Sequence, residues 1–347
     1  MKRLTAAIAT LALGITLLAG CGGGASQPTS GNTPPAAPKP KTKLTVLYGA
    51  TSPAYAAFWI AKEKGFFDNH NLDVTLTNID GDPRAAQAMV AGQGEISPIT
   101  GPSFTRARLG GAQLIMIASA GSKLTDDLLV PDSIKTAADL KGKQVGVSQF
   151  GGESDLETRF MIQKLGLTPD KDVVVKQVGG ESARVAAMKA GSIQGAPVDM
   201  SLRDAMKSEG LHPLISMVDL DFPYQKAGVV VTADFAKKNP EAVNDALMAW
   251  LEAMQFMMQE KNQTDVATIM AKYYRTDKID PIKLQLSIWA KTVTLEAYPN
   301  VDGLKNILAT IQDDPGAKTA DPGQWIDRSY IDKLKTSGFI DKLKSSK

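Results

Sequence analysis

The sequence predicts an α/β protein of two similar lobes, and three observations carry that expectation. From residue 44 onward, short apolar runs of strand length alternate with amphipathic stretches of helical period. The alternation restarts near residue 142 in the same order. A gap-free shift of 99 positions then lays several residues of the first run on identical residues of the second. Strands alternating with helices call for a mostly parallel sheet covered on both faces.

The chain opens with Lys2-Arg3, an apolar stretch over 4–18, and the small residues Ala19-Gly20 ahead of Cys21. This stretch is too short for a comfortable membrane span and has the form of an export leader over 1–20. Leu18-Ala19-Gly20-Cys21 resembles the bacterial lipobox, whose cysteine becomes the lipid-bearing first residue of the mature chain. Cys21 is the only cysteine, so no internal disulfide can form, and it is the candidate lipid anchor. Residues 22–42 (GGGASQPTSGNTPPAAPKPKT) are low-complexity and lack an apolar period, so with Cys21 they form an anchored, flexible linker over 21–42. A coil of that length reaches about 25 Å root-mean-square.

In the first run, strands are expected at 44–48, 72–77, 95–100 and 113–118, with helices near 54–64, 83–91 and 103–109. In the second, strands are expected at 144–148, 172–178 and 195–198, with helices near 154–165, 183–190 and 202–209. The shift superimposes Val46 on Val145, Asp73-Val74 on Asp172-Val173, Gly81 on Gly180, Ala88-Met89 on Ala187-Met188, Ala91-Gly92 on Ala190-Gly191 and Pro98 on Pro197. Either the segments 43–119 and 142–217 are copies of one unit, or two βα units share small residues by chance. After one more strand at 228–232, Asn239-Pro240 opens a long helix with Pro at its first position. Met254, Met257 and Met258 recur on it at helical spacing, as a core stripe or a soft ligand face. Helices follow near 266–274, 283–292 and 301–312 and are expected to pack back on the first lobe. The expected division is 43–122 with 226–347 for lobe 1 and 123–225 for lobe 2, hinged at crossings near 119–129 and 220–229.

Residues 52–67 (SPAYAAFWIAKEKGFF) resemble the NMT1/THI5-like and sulfonate/nitrate-type (SsuA-like) solute-binding proteins. Further likenesses are AMVAG at 88–92, DLKGKQVGV at 139–147, Leu165-Gly166-Leu167, Asp199 within PVDMSLRDA, and FAKKNP at 235–240. The resemblance covers about 43–260 and implies the periplasmic-binding-protein type II fold: two Rossmann-like lobes, two hinge crossovers and C-terminal helices. It further implies a lipoprotein of an ABC importer, anchored outside the cytoplasmic membrane. Such a protein binds a small organic molecule or anion between its lobes and delivers it to the membrane permease as a monomer.

Physics selects the same cleft, because ligands of open α/β sheets sit beyond the carboxyl ends of the strands, facing helix N-termini. The βα loops there supply Ser52, Tyr55, Asp82, Thr100, Ser103 and Ser119 from the first lobe. Gln149, Gly152, Glu153, Ser154 and Asp199 come from the second, and Tyr224 from the second crossing. Helix capping competes with ligand contact at Ser103, Glu153, Ser154 and Asp199. Tyr55 and Trp59 compete with a core role, and Phe222 and Tyr224 with hinge packing. Arg84 and Lys123 are the basic residues best placed to meet an anion, and so modest a positive charge speaks against a small strong anion.

Several classes of chemistry are excluded. Without Lys2 and Arg3 the acidic and basic residues balance, so no electrostatic footprint for nucleic acid exists. His70 and His212 are the only histidines and lie in no metal-ligand spacing, and no Gly-x-Ser-x-Gly elbow, Walker loop or Rossmann fingerprint occurs. No cofactor is expected. Relatives that synthesise a thiamin pyrimidine use a histidine and a Cys-rich motif, which the body of this chain lacks. The alternatives are a ligand-sensing lipoprotein without a transporter and an extracytoplasmic enzyme on the same fold. Sulfonate, nitrate or bicarbonate, a pyrimidine or thiamin precursor, and other small organic acids or heterocycles remain open as ligands.

Overall fold

The computed structural model describes residues 40–345 except Asp221 and Gln312. The leader, Cys21 and the linker up to residue 39 lie outside the described residues.

The first half contains β1 (Thr42–Tyr48), α1 (Pro53–Glu63), α2 (Phe66–Asn69), β2 (Leu72–Asn78), α3 (Asp82–Val90), β3 (Ile96–Ile99), α4 (Gly101–Leu109) and β4 (Leu114–Ser119). The second contains β5 (Asp126–Pro131), β6 (Gln144–Val147), α5 (Glu153–Lys164), β7 (Val174–Gln177), α6 (Glu181–Lys189), β8 (Ala196–Asp199), α7 (Arg203–Lys207) and β9 (Leu211–Ser216). The chain then returns through β10 (Gly228–Thr232). It ends in α8 (Ala233–Lys238), α9 (Pro240–Met258), α10 (Gln263–Tyr274), α11 (Asp280–Trp289), α12 (Val301–Thr310), α13 (Ser329–Thr336) and α14 (Phe339–Ser345).

Helix α1 shows why the sequence folds this way locally. Pro53 sits at its start, where a missing N–H does no harm, and Gly65 stops the chain beyond it at φ 74°. Every residue from Tyr55 to Ala61 is buried, the signature of a helix covered on all sides. Sheet residues lie on one flank, and α9 and α10 close the other. Trp59 stacks on Tyr273 at 4.8 Å, as a core residue. Met254 and Met257 are fully buried, so the methionine stripe is core.

The first sheet has the order β2-β1-β3-β10-β4. The second is built from β8-β5-β9 and β6-β7, joined by a parallel bridge from Val145 to Gly195, which gives β7-β6-β8-β5-β9. The two orders are the same, and so are the registers. Val46 faces Leu76 and Ile96, and the shift of 99 carries that set onto Val145 facing Val175 and Gly195. Ile99 on Gly228 likewise matches Val198 on Asp127. A register shift at Val229/Val230 has its counterpart at Leu128/Leu129. Chance sharing of small residues does not reproduce pairing registers, so the two segments are structural copies.

The expectation of mostly parallel sheets needs correction. β5 and β10 each run antiparallel to both neighbours, because each enters its sheet from the other half of the chain. Neither β5 nor β9 was legible as a strand. β9 carries Pro213, which is tolerated because it lies on an edge strand at a register irregularity. The first crossing occupies 120–125, and the second runs from 217 to 227. No helix among the described residues is long and apolar enough to cross a membrane.

Candidate ligand-binding cleft

The carboxyl ends of both sheets border one cavity of about 300 Å³. Its first wall is Thr51 to Tyr55 with Thr100, and its second is Glu153, Glu181 and Asp199. The two crossings supply Thr125-Asp126 and Lys226-Ala227, and α11 closes one side with Gln285, Ile288, Trp289 and Thr292. A wider opening of about 850 Å³ lies between α4, α5 and α12. Its charges are already matched, Arg106 with Asp313 and Arg159 with Asp155 and Asp170, so it presents few unmet groups.

The internal repeat builds the cleft wall twice. Asp82 opens α3, where its buried carboxylate accepts the Thr100 N–H at 2.8 Å and the Tyr55 hydroxyl at 2.7 and 2.8 Å. Glu181 opens α6 at the equivalent position and accepts the Asp199 N–H at 2.9 Å. Acidic residues at helix starts also meet the positive end of the dipole. Asp199 accepts the Ser201 N–H at 2.9 Å through one oxygen and the Thr125 hydroxyl at 3.3 Å through the other. It therefore caps the following turn and borders the cavity at once.

Five of the residues singled out from the sequence meet at this cavity: Ser52, Tyr55, Thr100, Glu153 and Asp199. Asp82 stands directly behind them. Tyr224 is fully buried beside Phe222 and donates its hydroxyl to Glu153 at 3.3 Å. Gly152 caps α5 through backbone alone, and buried Ser154 accepts the Ser148 N–H at 2.8 Å, holding the loop. Ser103 and Gln149 border a different opening, between α3, α4 and the Phe150 loop. Ser119 is buried, donates to the Gly121 carbonyl at 2.8 Å and accepts from Gln225 at 2.9 Å. Arg84 faces solvent beside Asp80, and Lys123 is exposed, so neither supplies charge to the cavity.

Charge in the cleft is mainly negative. Burial, reinforced by Asp199, raises the Asp126 carboxyl to about 6. Burial raises Glu181 to about 7, with Asp126 and Asp199 adding to it against the Asp199 N–H. Glu157 lies behind Asp126 at 1% exposure and is raised well above its ordinary value by burial and by Asp126. Burial also raises Asp82, against the hydrogen bonds from Thr100 and Tyr55. Burial would lower Lys226, but Glu153, Asp126, Glu157 and Asp199 together raise it and keep it charged. Its Nζ stands 3.9 Å from Glu153.

Sequence reasoning missed Asp126, Glu157, Glu181, Lys226, Gln285 and Trp289. Glu181 had an available signal, since it falls on Asp82 under the shift of 99. Asp126 begins an unread strand, and Gln285 and Trp289 reach the cleft only through the packing of α11. Among the described residues no group of His, Cys, Asp and Glu could hold a metal ion. His70 lies by Glu252 and His212 by Asp132, and neither borders the cavity.

The NMT1/THI5 like family model matches residues 52–264. A Brucella abortus (strain 2308) protein named for a binding role is 28% identical over 223 residues, covering 63% of this chain and 67% of the relative. The nitrate/nitrite binding protein NrtA of Nostoc is 26% identical over 272 residues, covering 71% of this chain and 62% of NrtA. The alkanesulfonate-binding protein SsuA of Xanthomonas axonopodis matches with a TM-score of 0.64 at 16% identity, over 84% of this chain and 99% of SsuA. That likeness shows the two-lobed periplasmic-binding-protein fold. With the family model matching more than half of its length, the chain belongs to the NMT1/THI5-like family.

Proposed function

We propose that this chain is a solute-binding protein of an ABC importer, which takes a small molecule into the inter-lobe cleft and delivers it to a membrane permease. The observation that carries the reading is the doubled wall of the cavity. Equivalent helix starts from two copies of one unit, with Asp82–Thr100 on one side and Glu181–Asp199 on the other, face a single cavity crossed by both hinge segments. A ligand touching both walls stabilises the closed arrangement by its differential affinity, and the closed shape is what a permease reads. The family membership and the binding roles of the named relatives support the same reading. We place lobe 1 at 43–122 with 226–347 and lobe 2 at 123–225. The chain works as a monomer outside the cytoplasmic membrane, held by lipid on Cys21, and does not turn its ligand over.

Mass spectrometry of small molecules released from purified, denatured protein tests the binding role. A discrete released compound that raises the melting temperature on re-addition is expected, since a ligand at 100 times its Kd adds about 2.7 kcal/mol. A compound recovered chemically altered after incubation would replace the transport reading with an enzymatic one. Cys21→Ser is expected to move the exported chain from the membrane to the soluble fraction.

A further inference from the structure

The cleft is rich in acceptors and poor in free donors. Asp126, Glu153, Glu181 and Asp199 border the cavity, and Lys226 is the only basic side chain among its lining residues. That lysine is shared by Glu153 at 3.9 Å and by the surrounding carboxyls. An oxyanion would need the free N–H groups at the helix starts. At the strand-to-helix junctions the protein's own acids take four amides: Asp82 holds the Thr100 N–H, Glu181 holds that of Asp199, Asp199 holds that of Ser201, and Asp155 holds that of Gly151. On the cavity wall one buried acceptor finds no donor among the described residues. It is Oε1 of Gln285. Beside it, among the described residues, the buried donor on the wall without a partner is Nε1 of Trp289. An indole is also the strongest cation–π partner among side chains.

We propose that the ligand of this cleft is a small organic cation, presenting a positively charged nitrogen group to Asp126, Glu181 and Asp199, and not an oxyanion. The inference rests on the solute-binding reading and specifies the class of its ligand. A cation supplies the N–H donors or positive charge that the wall lacks and relieves the crowding of four carboxylates around one lysine. An oxyanion would meet those carboxylates and find these junction amides already occupied. The volume of about 300 Å³ suits a molecule with few heavy atoms.

The test is a thermal-shift and calorimetric panel on the full chain in a constant chloride background. Putrescine, agmatine, choline and 4-aminopyridine form one arm, and nitrate, bicarbonate and methanesulfonate form the other. At least one cation is expected to raise the melting temperature, with the oxyanions giving no rise. The double variant Asp126→Asn, Glu181→Gln should weaken that cation at least ~10-fold, about 1.4 kcal/mol. Its unliganded melting temperature should be no lower than the parent's, which separates lost binding from lost folding. A larger rise with an oxyanion, unchanged cation affinity in the double variant, or a released native ligand without a cationic nitrogen would each overturn the ligand class while leaving solute binding intact. If neither arm shifts the protein and no compound is released from it, the solute-binding reading fails and this inference falls with it.

Discussion

Tyr55 donates its hydroxyl to a carboxylate that also holds the Thr100 amide, so one buried acid fixes both the start of α1 and the start of α4. Replacing Tyr55 with Phe leaves Asp82 with fewer donors in a buried site. The expected loss is about 1–3 kcal/mol, read as a lower melting temperature. Full stability in that variant would show that Asp82 is satisfied without the tyrosine. The raised carboxyls give a second prediction with a definite sign. Asp126 moves from 3.8 to about 6 and Glu181 from 4.5 to about 7, so the folded chain holds both protons more tightly than the unfolded chain. Well below pH 4 both groups are protonated in either state and carry no penalty. As pH rises from about 4 to about 7 the unfolded chain ionises them while the folded chain still holds the protons, so stability falls by an amount on the order of 1–3 kcal/mol and levels off above that range. Melting temperatures of the ligand-free protein between pH 5 and 8 should therefore fall more steeply for the parent than for Asp126→Asn, Glu181→Gln. Parallel profiles would remove these two carboxyls as the cause.

At the scale of elements, the second crossing is held by contacts that leave little freedom. Gln225 is fully buried, donates to Ser119 at the end of β4 at 2.9 Å and accepts the Asn300 N–H at 2.6 Å before α12. Gly303 in α12 lies so close that a Cβ there would stand 2.4 Å from the Gln225 nitrogen and from the Tyr224 carbonyl carbon. Gly101 at the start of α4 has the same relation to the Gln225 carbonyl oxygen, at 2.2 Å. The backbone of 224–225 is thus clamped between two helices that only glycine lets approach. Gly303→Ala is expected to destabilise by about 1–3 kcal/mol through forced backbone shifts. An alanine variant melting at the parent temperature would show that the segment gives way cheaply. Because Lys226 follows this clamp directly, the same variant should also weaken ligand binding.

For the whole molecule, duplication explains how a cleft arises at all. Two copies of one sheet-and-helix unit each need a further strand, and each receives the one that follows the other copy, β10 in the first sheet and β5 in the second. The exchange produces two crossings side by side, and the strand ends of both copies face each other across them. A bound ligand should bias this arrangement toward closure. Solution X-ray scattering is expected to show a smaller radius of gyration with saturating ligand than without it. An unchanged radius with bound ligand would mean that the unliganded chain is already closed.

The order of strands and helices was readable because apolar period and turn residues are local properties. The repeat was readable because Asp73-Val74, Ala88-Met89 and Ala91-Gly92 recur 99 positions later. Ser52, Tyr55, Thr100, Glu153 and Asp199 were readable as cleft residues because helix starts after strands fall at strand ends. The direction of β5 and β10 was not, since strand polarity depends on which sheet a crossing segment joins. Nor was the sign of the cleft. Asp126, Glu157, Glu181 and Asp199 are scattered over 74 positions of a chain with balanced charge. Only the packing of α5, α6 and the crossing strands gathers them at the cleft with Lys226, where burial raises the carboxyls of Asp126, Glu157 and Glu181.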